Sequence, residues 1–183
     1  VVRGESPPEL LDTYESERKP HVTTYTVLAA GMANEIEAMA TPSGEAPADG
    51  EHEVSEVEPV RPRMGPGVRA DDSDEAAGRP GAQPRLENGE LMDDVVGYRF
   101  ALVGDPAVVG AIEAETKQLL ASLDVQVVDQ YPQPMRDWTE RLGTAAVLVR
   151  PDRYVFGSAK TAAELDQLVG RLDAMLKAPV SAS

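Results

Sequence analysis

No cysteine occurs among the 183 residues. Disulfide exchange needs a thiolate nucleophile, so thiol redox chemistry is excluded. Histidine is nearly as scarce. His21 and His52 are the only imidazoles, and no paired acids stand around them at ligand spacing, so a solvated His near a helix start and another in a linker are expected rather than a metal centre. Positive charge is short as well, with 17 Lys and Arg against 32 Asp and Glu and a net charge of -15. A chain with no basic stripe repels phosphate backbones, which excludes nucleic acid and anionic membrane surfaces as partners. No apolar run approaches the roughly 20 residues that span a bilayer, and the first thirty residues lack a signal peptide's basic start and apolar centre. The expectation is a soluble, cytoplasmic protein. Also missing are a Ser-His-acid set, a phosphate-binding glycine loop and a close pair of acids in an expected cleft. No catalytic, cofactor-binding or metal-binding residue is therefore expected within this chain.

The length suits one ordinary domain plus a substantial extra segment. Charge divides the chain: residues 41–94 hold 14 acids against 5 bases, and residues 95–183 hold 11 against 9. The first words, VVRGESPPELL, read as the tail of one element and the start of another. With Val rather than Met at position 1, a piece of a longer polypeptide is expected.

Ser6-Pro7-Pro8-Glu9 reads as a helix start, with Ser6 as cap, Pro7 at the first helical position and Glu9 completing a capping box. Pro20 falls inside the pattern, which predicts a break or kink there and a second helix from His21 to about Met39. Leu11, Tyr14, Val22, Tyr25, Leu28, Met32, Ile36 and Met39 recur at spacings near three or four and make one apolar face. That face needs a partner, either the C-terminal part of the chain or something outside it. Residues 41–58 have the low hydrophobicity of a disordered linker. Residues 59–92, with Pro and Gly at intervals, predict an ordered strap lying over a surface.

From Tyr98 onwards the apolar pattern predicts a compact α/β unit. YRFALV is a strand, PAVVGAIEAETKQLLASL a helix and VQVV a second strand, forming a right-handed parallel unit. PMRDWTERLG is a short helix ended by Gly143, and AAVLV a strand at the sheet's centre. The turn Arg150-Pro151-Asp152-Arg153 makes a hairpin with RYVFG. The closing helix carries Leu165, Leu168, Val169, Leu172 and Leu176 on one face. The order βαβαββα is that of a thioredoxin-like module, here free of cysteine.

Four further features have competing readings. The run Asp71-Asp72-Ser73-Asp74-Glu75 lacks the loop length, turn glycine and terminal Glu of the known calcium pattern and reads as solvated charge. Gly104-Asp105-Pro106 opens a helix whose amides could hold an anion, but Asp105 would occupy that position as a cap. Trp138, beside Leu142 on a short helix, reads as core. Arg150 and Arg153 flank the hairpin turn and could pair with acids of the strap or of a partner subunit.

Three stretches resemble FAD-dependent aromatic hydroxylases of the phenol and 3-(3-hydroxyphenyl)propionate hydroxylase type, including those that tailor aromatic polyketides. The first is similar to the family's L-L-D-x-Y-x-x-E-R-x-P, here Leu10, Leu11, Asp12, Tyr14, Glu17, Arg18 and Pro20. The second is similar to its P-Q-P passage followed by L-D-D-x-x-G-x-x-F-x-L, matched by Gln83, Pro84, Leu91, Asp93, Asp94, Gly97, Phe100 and Leu102. The closing V-L-V-R-P-D-x-(Y/H)-V is matched by Val147, Leu148, Val149, Arg150, Pro151, Asp152, Tyr154 and Val155.

The resemblance implies a full enzyme that binds FAD, takes hydride from NAD(P)H and inserts one oxygen atom of O2 into an electron-rich aromatic substrate. The family's flavin-binding segments have no counterpart here and would lie upstream of Val1. Residues 1–40 would then be the terminal helices of the catalytic domain, 41–92 the acidic linker and strap, and 93–178 the thioredoxin-like domain. The last would serve packing and the contacts of a homodimer. The fragment would have no hydroxylase activity alone. The alternative is a standalone, redox-inactive thioredoxin-like interaction module.

Overall fold

The computed structural model describes residues 1, 4, 6–40, 62–71 and 73–177. The expected linker at 41–58, the first three strap positions, His52 and Asp72 lie outside the described residues.

The capping box does not form. Pro8–Asp12 is a 3-10 turn whose cap position is Pro7, with no side-chain cap bond. Pro8 pushes the residue before it out of the helical region, so Pro7 stays extended at ψ 150° and the turn starts one residue later than the box requires. The α-helix α1 (Thr13–Ala40) follows and runs through Pro20 without the expected break. Proline removes one helical bond and crowds the carbonyl four residues earlier. The carbonyl that loses its helical partner is that of Ser16, and the Gly65 amide donates to its neighbour, the Glu17 carbonyl, at 2.8 Å.

Residues 62–91 run beside α1 and then along the sheet. The next elements are α2 (Met92–Val96), β1 (Ala101–Gly104), α3 (Pro106–Gly110), α4 (Ala114–Ser122) and β2 (Gln126–Val127). After them come α5 (Gln133–Arg141), β3 (Ala146–Val149), β4 (Val155–Ala159) and α6 (Ala162–Lys177). The four strands form one mixed sheet in the order β2-β1-β3-β4. β1 pairs parallel with β2 and antiparallel with β3, and β3 pairs antiparallel with β4. AAVLV thus supplies an interior strand, as its unbroken apolar run requires.

Alternation along the strands divides the core in two. Leu102, Leu148 and Phe156 face Leu120 of α4 and Leu165, Leu168, Val169 and Leu172 of α6. Val103, Val147, Val149 and Val155 face Met92, Val96, Met135 and Trp138. Trp138 is therefore a core residue, and the apolar face foreseen for α6 is the buried one.

The single helix expected over 106–123 is two. Between α3 and α4 the chain turns Ile112 into the core, where it is 5% exposed. Lys117 Nζ caps the freed Gly110 carbonyl at 2.9 Å, and the Glu113 amide donates to Asp166 at 3.1 Å. Burial of Ile112 outweighs two or three lost helical bonds, which water and Lys117 replace in part. Gly143, at φ +65°, ends α5 at the expected place.

The free edge of β4 is covered by residues 70–81. Ala70 donates to Phe156 (2.7 Å), Gly78 to Val155 (2.8 Å) and Gly81 to Arg153 (2.7 Å), while Val155 donates back to Arg79 (2.9 Å). Pairing these groups removes an edge that would otherwise template aggregation. Among the described residues no helix is long and apolar enough to cross a membrane.

Candidate functional site

The hairpin turn between β3 and β4 gathers the polar side chains that the sequence motifs contain. Pro151 and Asp152 reverse the chain, Arg153 adopts φ +69°, and Arg150 donates its amide to Tyr154 at 2.7 Å. Three side chains then leave the turn in different directions.

Arg150 points at α1. Its guanidinium engages Glu17 in a two-pronged pair, Nη1 to Oε1 at 2.9 Å and Nη2 to Oε2 at 2.8 Å. The side chains are 12% and 5% exposed. The same guanidinium donates to the Val68 carbonyl (2.6 Å) and to both oxygens of Asp152 (3.1 and 3.0 Å). Glu17 Oε1 also accepts from the Val68 amide. Burial pulls the Arg150 pKa down, but the hydrogen bond to Glu17 and the charges of Asp152 and Glu17 outweigh it, and the pKa is raised. The acid that answers Arg150 is thus on the N-terminal helix and not in the strap.

Tyr154 meets the next turn of α1. Its hydroxyl lies 2.8 Å from His21 Nε2, the two rings stand edge to face at 5.4 Å, and the Arg18 guanidinium lies over the tyrosine ring at 5.1 Å. His21 also stands edge to face with Tyr25 at 5.0 Å. His21 is 8% exposed, so the expectation of a solvated imidazole is corrected. Burial, with the Arg18 charge as the lesser cause, lowers its pKa below the ordinary 6.5.

Arg153 turns to the opposite side. It pairs with Asp93 at 3.1 Å and donates to the Gly97 carbonyl. Asp93 in turn accepts from Gln83 Nε2 at 2.8 Å. Motif residues from three stretches far apart in sequence therefore meet at one four-residue turn.

The strap reaches this joint because position 65 is glycine. A Cβ there would collide with the Ser16 carbonyl oxygen and lie 2.9 Å from the Pro20 ring. Contact this close lets the Gly65 amide satisfy the Glu17 carbonyl.

Among the described side chains of α1, burial is confined to one short row. Thr13, Glu17 and His21, four residues apart, are 7%, 4% and 8% exposed. The apolar stripe lies beside that row: Leu11, Tyr14, Val22, Tyr25, Met32 and Ile36 are between 46% and 70% exposed, Leu28 is half-buried, and the Met39 side chain lies outside the described residues. At about 100° per residue the two stripes are roughly a quarter of a turn apart. Over residues 13–21 the helix buries polar groups, and from Val22 to Ile36 none of its described side chains is buried.

Other candidates hold no chemistry. Asp105 accepts from the Ala107 amide at 2.8 Å and caps α3. Asp74 is not freely solvated: it receives the Ser158 amide and hydroxyl at 2.6 and 2.9 Å. Among the described residues no group of three or more His, Asp or Glu could hold a metal. The joint's one hydroxyl beside a base, Tyr154 on His21, is packed under Arg18 with the imidazole 8% exposed, and its acids pair with its guanidinium groups. What it can do is fasten α1, the strap and the sheet together. Sequence reasoning missed this pairing because Glu17 and Arg150 are 133 positions apart.

Residues 78–175 match the model of the family described as HcaD C-terminal domain. Several solved structures share the fold. The flavin-dependent monooxygenase PieE, solved with FAD and substrate, aligns at TM-score 0.64 and 22% identity over 96% of this chain and 41% of its own. Aklavinone-11 hydroxylase, in a ternary complex with FAD and aklavinone, aligns at 0.56 and 24% over 95% and 37%. The rebeccamycin biosynthetic enzyme RebC with reduced flavin aligns at 0.58 and 22% over 95% and 38%. No curated protein matches the sequence. The chain spans well under half the length of the solved proteins it resembles.

Proposed function

Because the chain belongs to the HcaD C-terminal domain family, we propose that it is the C-terminal portion of an FAD-dependent monooxygenase that hydroxylates aromatic substrates with NAD(P)H and O2. Residues 1–40 close the catalytic domain, 41–92 form a linker and strap, and 93–178 form a thioredoxin-like domain that acts structurally. The strand order β2-β1-β3-β4 with one antiparallel interior strand supports the thioredoxin-like reading.

The observation that carries the proposal is the inverted helix. An apolar stripe of six large side chains, each at least 46% exposed, fits a missing domain of the same polypeptide better than it fits water. The length of the fold neighbours beyond the matched part supports that placement.

The described residues themselves do not fit a flavin. A pyrophosphate is held by free amides at a helix start. Here Asp105 fills the start of α3, Glu113 and Glu115 stand at α4, and Glu164 stands at α6. A 410 Å³ cavity beside β4 is lined by the acids Asp71, Asp74, Glu75 and Glu164 against the bases Lys160 and Arg171, a net negative wall that disfavours phosphate. Flavin and substrate contacts are accordingly assigned to sequence upstream.

The test expresses residues 1–183 alone and the same chain extended through the reading frame upstream of Val1. The extended chain should retain flavin and oxidise NAD(P)H when a phenol is supplied, and residues 1–183 should do neither. Flavin bound by the short chain, or an extended chain without flavin, would overturn the reading.

A further inference from the structure

We infer that α1 is a two-faced spine, with its apolar stripe seated on the upstream flavin-binding unit and its polar stripe acting as a latch from which the C-terminal module can detach. The inference rests on the proposed function for the identity of the upstream unit. The latch itself rests only on the contacts described above.

The two faces differ in the physics of attachment. Glu17 to Arg150, His21 to Tyr154, Arg18 over Tyr154 and the Gly65 amide to the Glu17 carbonyl are polar or charged contacts, and Leu10, just before α1, adds one partly buried apolar contact with the module's core. When such groups separate, water replaces their partners, so the net cost of opening is small compared with the gross strength of the bonds. The apolar stripe has no such substitute. From Tyr14 to Ile36 it extends about 33 Å along the helix. Once covered, Leu11, Tyr14, Val22, Tyr25, Met32 and Ile36 return to water at a cost proportional to their area. The occupant is the upstream unit because the fold neighbours carry more than half of their length outside the matched part. α1 therefore stays with the flavin unit when the latch opens, and the strap is released together with the module.

The absence of cysteine makes this directly measurable. Met32→Cys places a thiol on the stripe, and Thr13→Cys places one on the buried polar face, where residue 13 is 7% exposed. Maleimide labelling of each position is read by peptide mass mapping, in the 183-residue chain and in the flavin-bound extended chain. Position 32 should label readily in the short chain and be protected in the extended one. Adding Glu17→Gln should raise labelling at position 13 by about tenfold or more, as loss of a charge-assisted pair requires, and leave position 32 protected with flavin retained. Arg150→Gln should do the same from the other side of the joint.

The spine is overturned if position 32 labels equally in both chains. It is also overturned if protection of position 32 in the short chain grows with protein concentration, which would make a second copy the occupant. The latch is overturned if Glu17→Gln leaves position 13 closed, or opens positions 13 and 32 together. An extended chain that binds no flavin refutes the proposed function, and labelling at position 13 in the short chain still decides the latch.

Discussion

Replacing Glu17 with Met puts a number on the joint. The carboxylate is 5% exposed and holds both arms of the Arg150 guanidinium at 2.8 and 2.9 Å. Removing one partner of a buried ion pair costs about 3–5 kcal/mol, because the other charge remains desolvated. Arg150 keeps Asp152 and the Val68 carbonyl, so the lower end, about 3 kcal/mol, is expected for Glu17→Met. For a chain of this size that corresponds to a fall in Tm of about 6–12 °C. Arg150→Met leaves the carboxylate with the Val68 amide alone and should cost more. The double variant buries no charge and leaves the Val68 amide and carbonyl to find water. Its cost should fall short of the summed single costs by at least about 2 kcal/mol. Urea unfolding reads this cycle through Trp138, the only tryptophan, which is 6% exposed in the module's core. A loss below about 0.5 kcal/mol for Glu17→Met would place the pair among ordinary surface bridges and refute the reasoning.

Two other perturbations follow from the same geometry. Gly65→Ala should cost about 2 kcal/mol or more, because the new methyl meets the Ser16 carbonyl and breaks the bond to Glu17. Gly31→Ala, mid-helix with nothing within 4 Å, should stabilise by about 0.5–1 kcal/mol. Thermal melts of the two variants with equal Tm changes would contradict the close approach at residue 65. His21 gives stability a pH dependence. Its folded pKa lies below the ordinary 6.5, so the unfolded chain binds the proton first. The contribution is complete above pH 6.5, is lost as pH falls through that value and levels off below the folded pKa. Comparing urea midpoints of the native chain and His21→Gln between about pH 5 and 8 checks this, and identical slopes would show that His21 is not the group responsible.

Of the candidate site, the residues were legible in the sequence but their meeting was not. Glu17, Arg150, Asp152 and Tyr154 all belong to stretches that the sequence singles out, yet no periodicity links position 17 to position 150. Local chemistry is likewise silent on whether His21 is wet or buried. The β4 edge, covered by Ala70, Gly78 and Gly81, could not be read from a segment whose Pro and Gly content shows only that it is extended. Where a local rule failed at residues 106–123, a tertiary contact won: burial of Ile112 divides the expected helix.

The sequence by itself determined the exclusion of thiol chemistry, the order of strands and helices from residue 98 onwards, the core face of α6 and the apolar stripe of α1. These depend on residue type and on periods of two and 3.6, which are local properties of a chain. Tertiary structure alone decided which face of α1 is used. Burying Thr13, Glu17 and His21 is favourable only where Arg150, Tyr154 and the Gly65 amide stand ready to pair with that side of the helix, and those partners are brought there by the sheet and its strap.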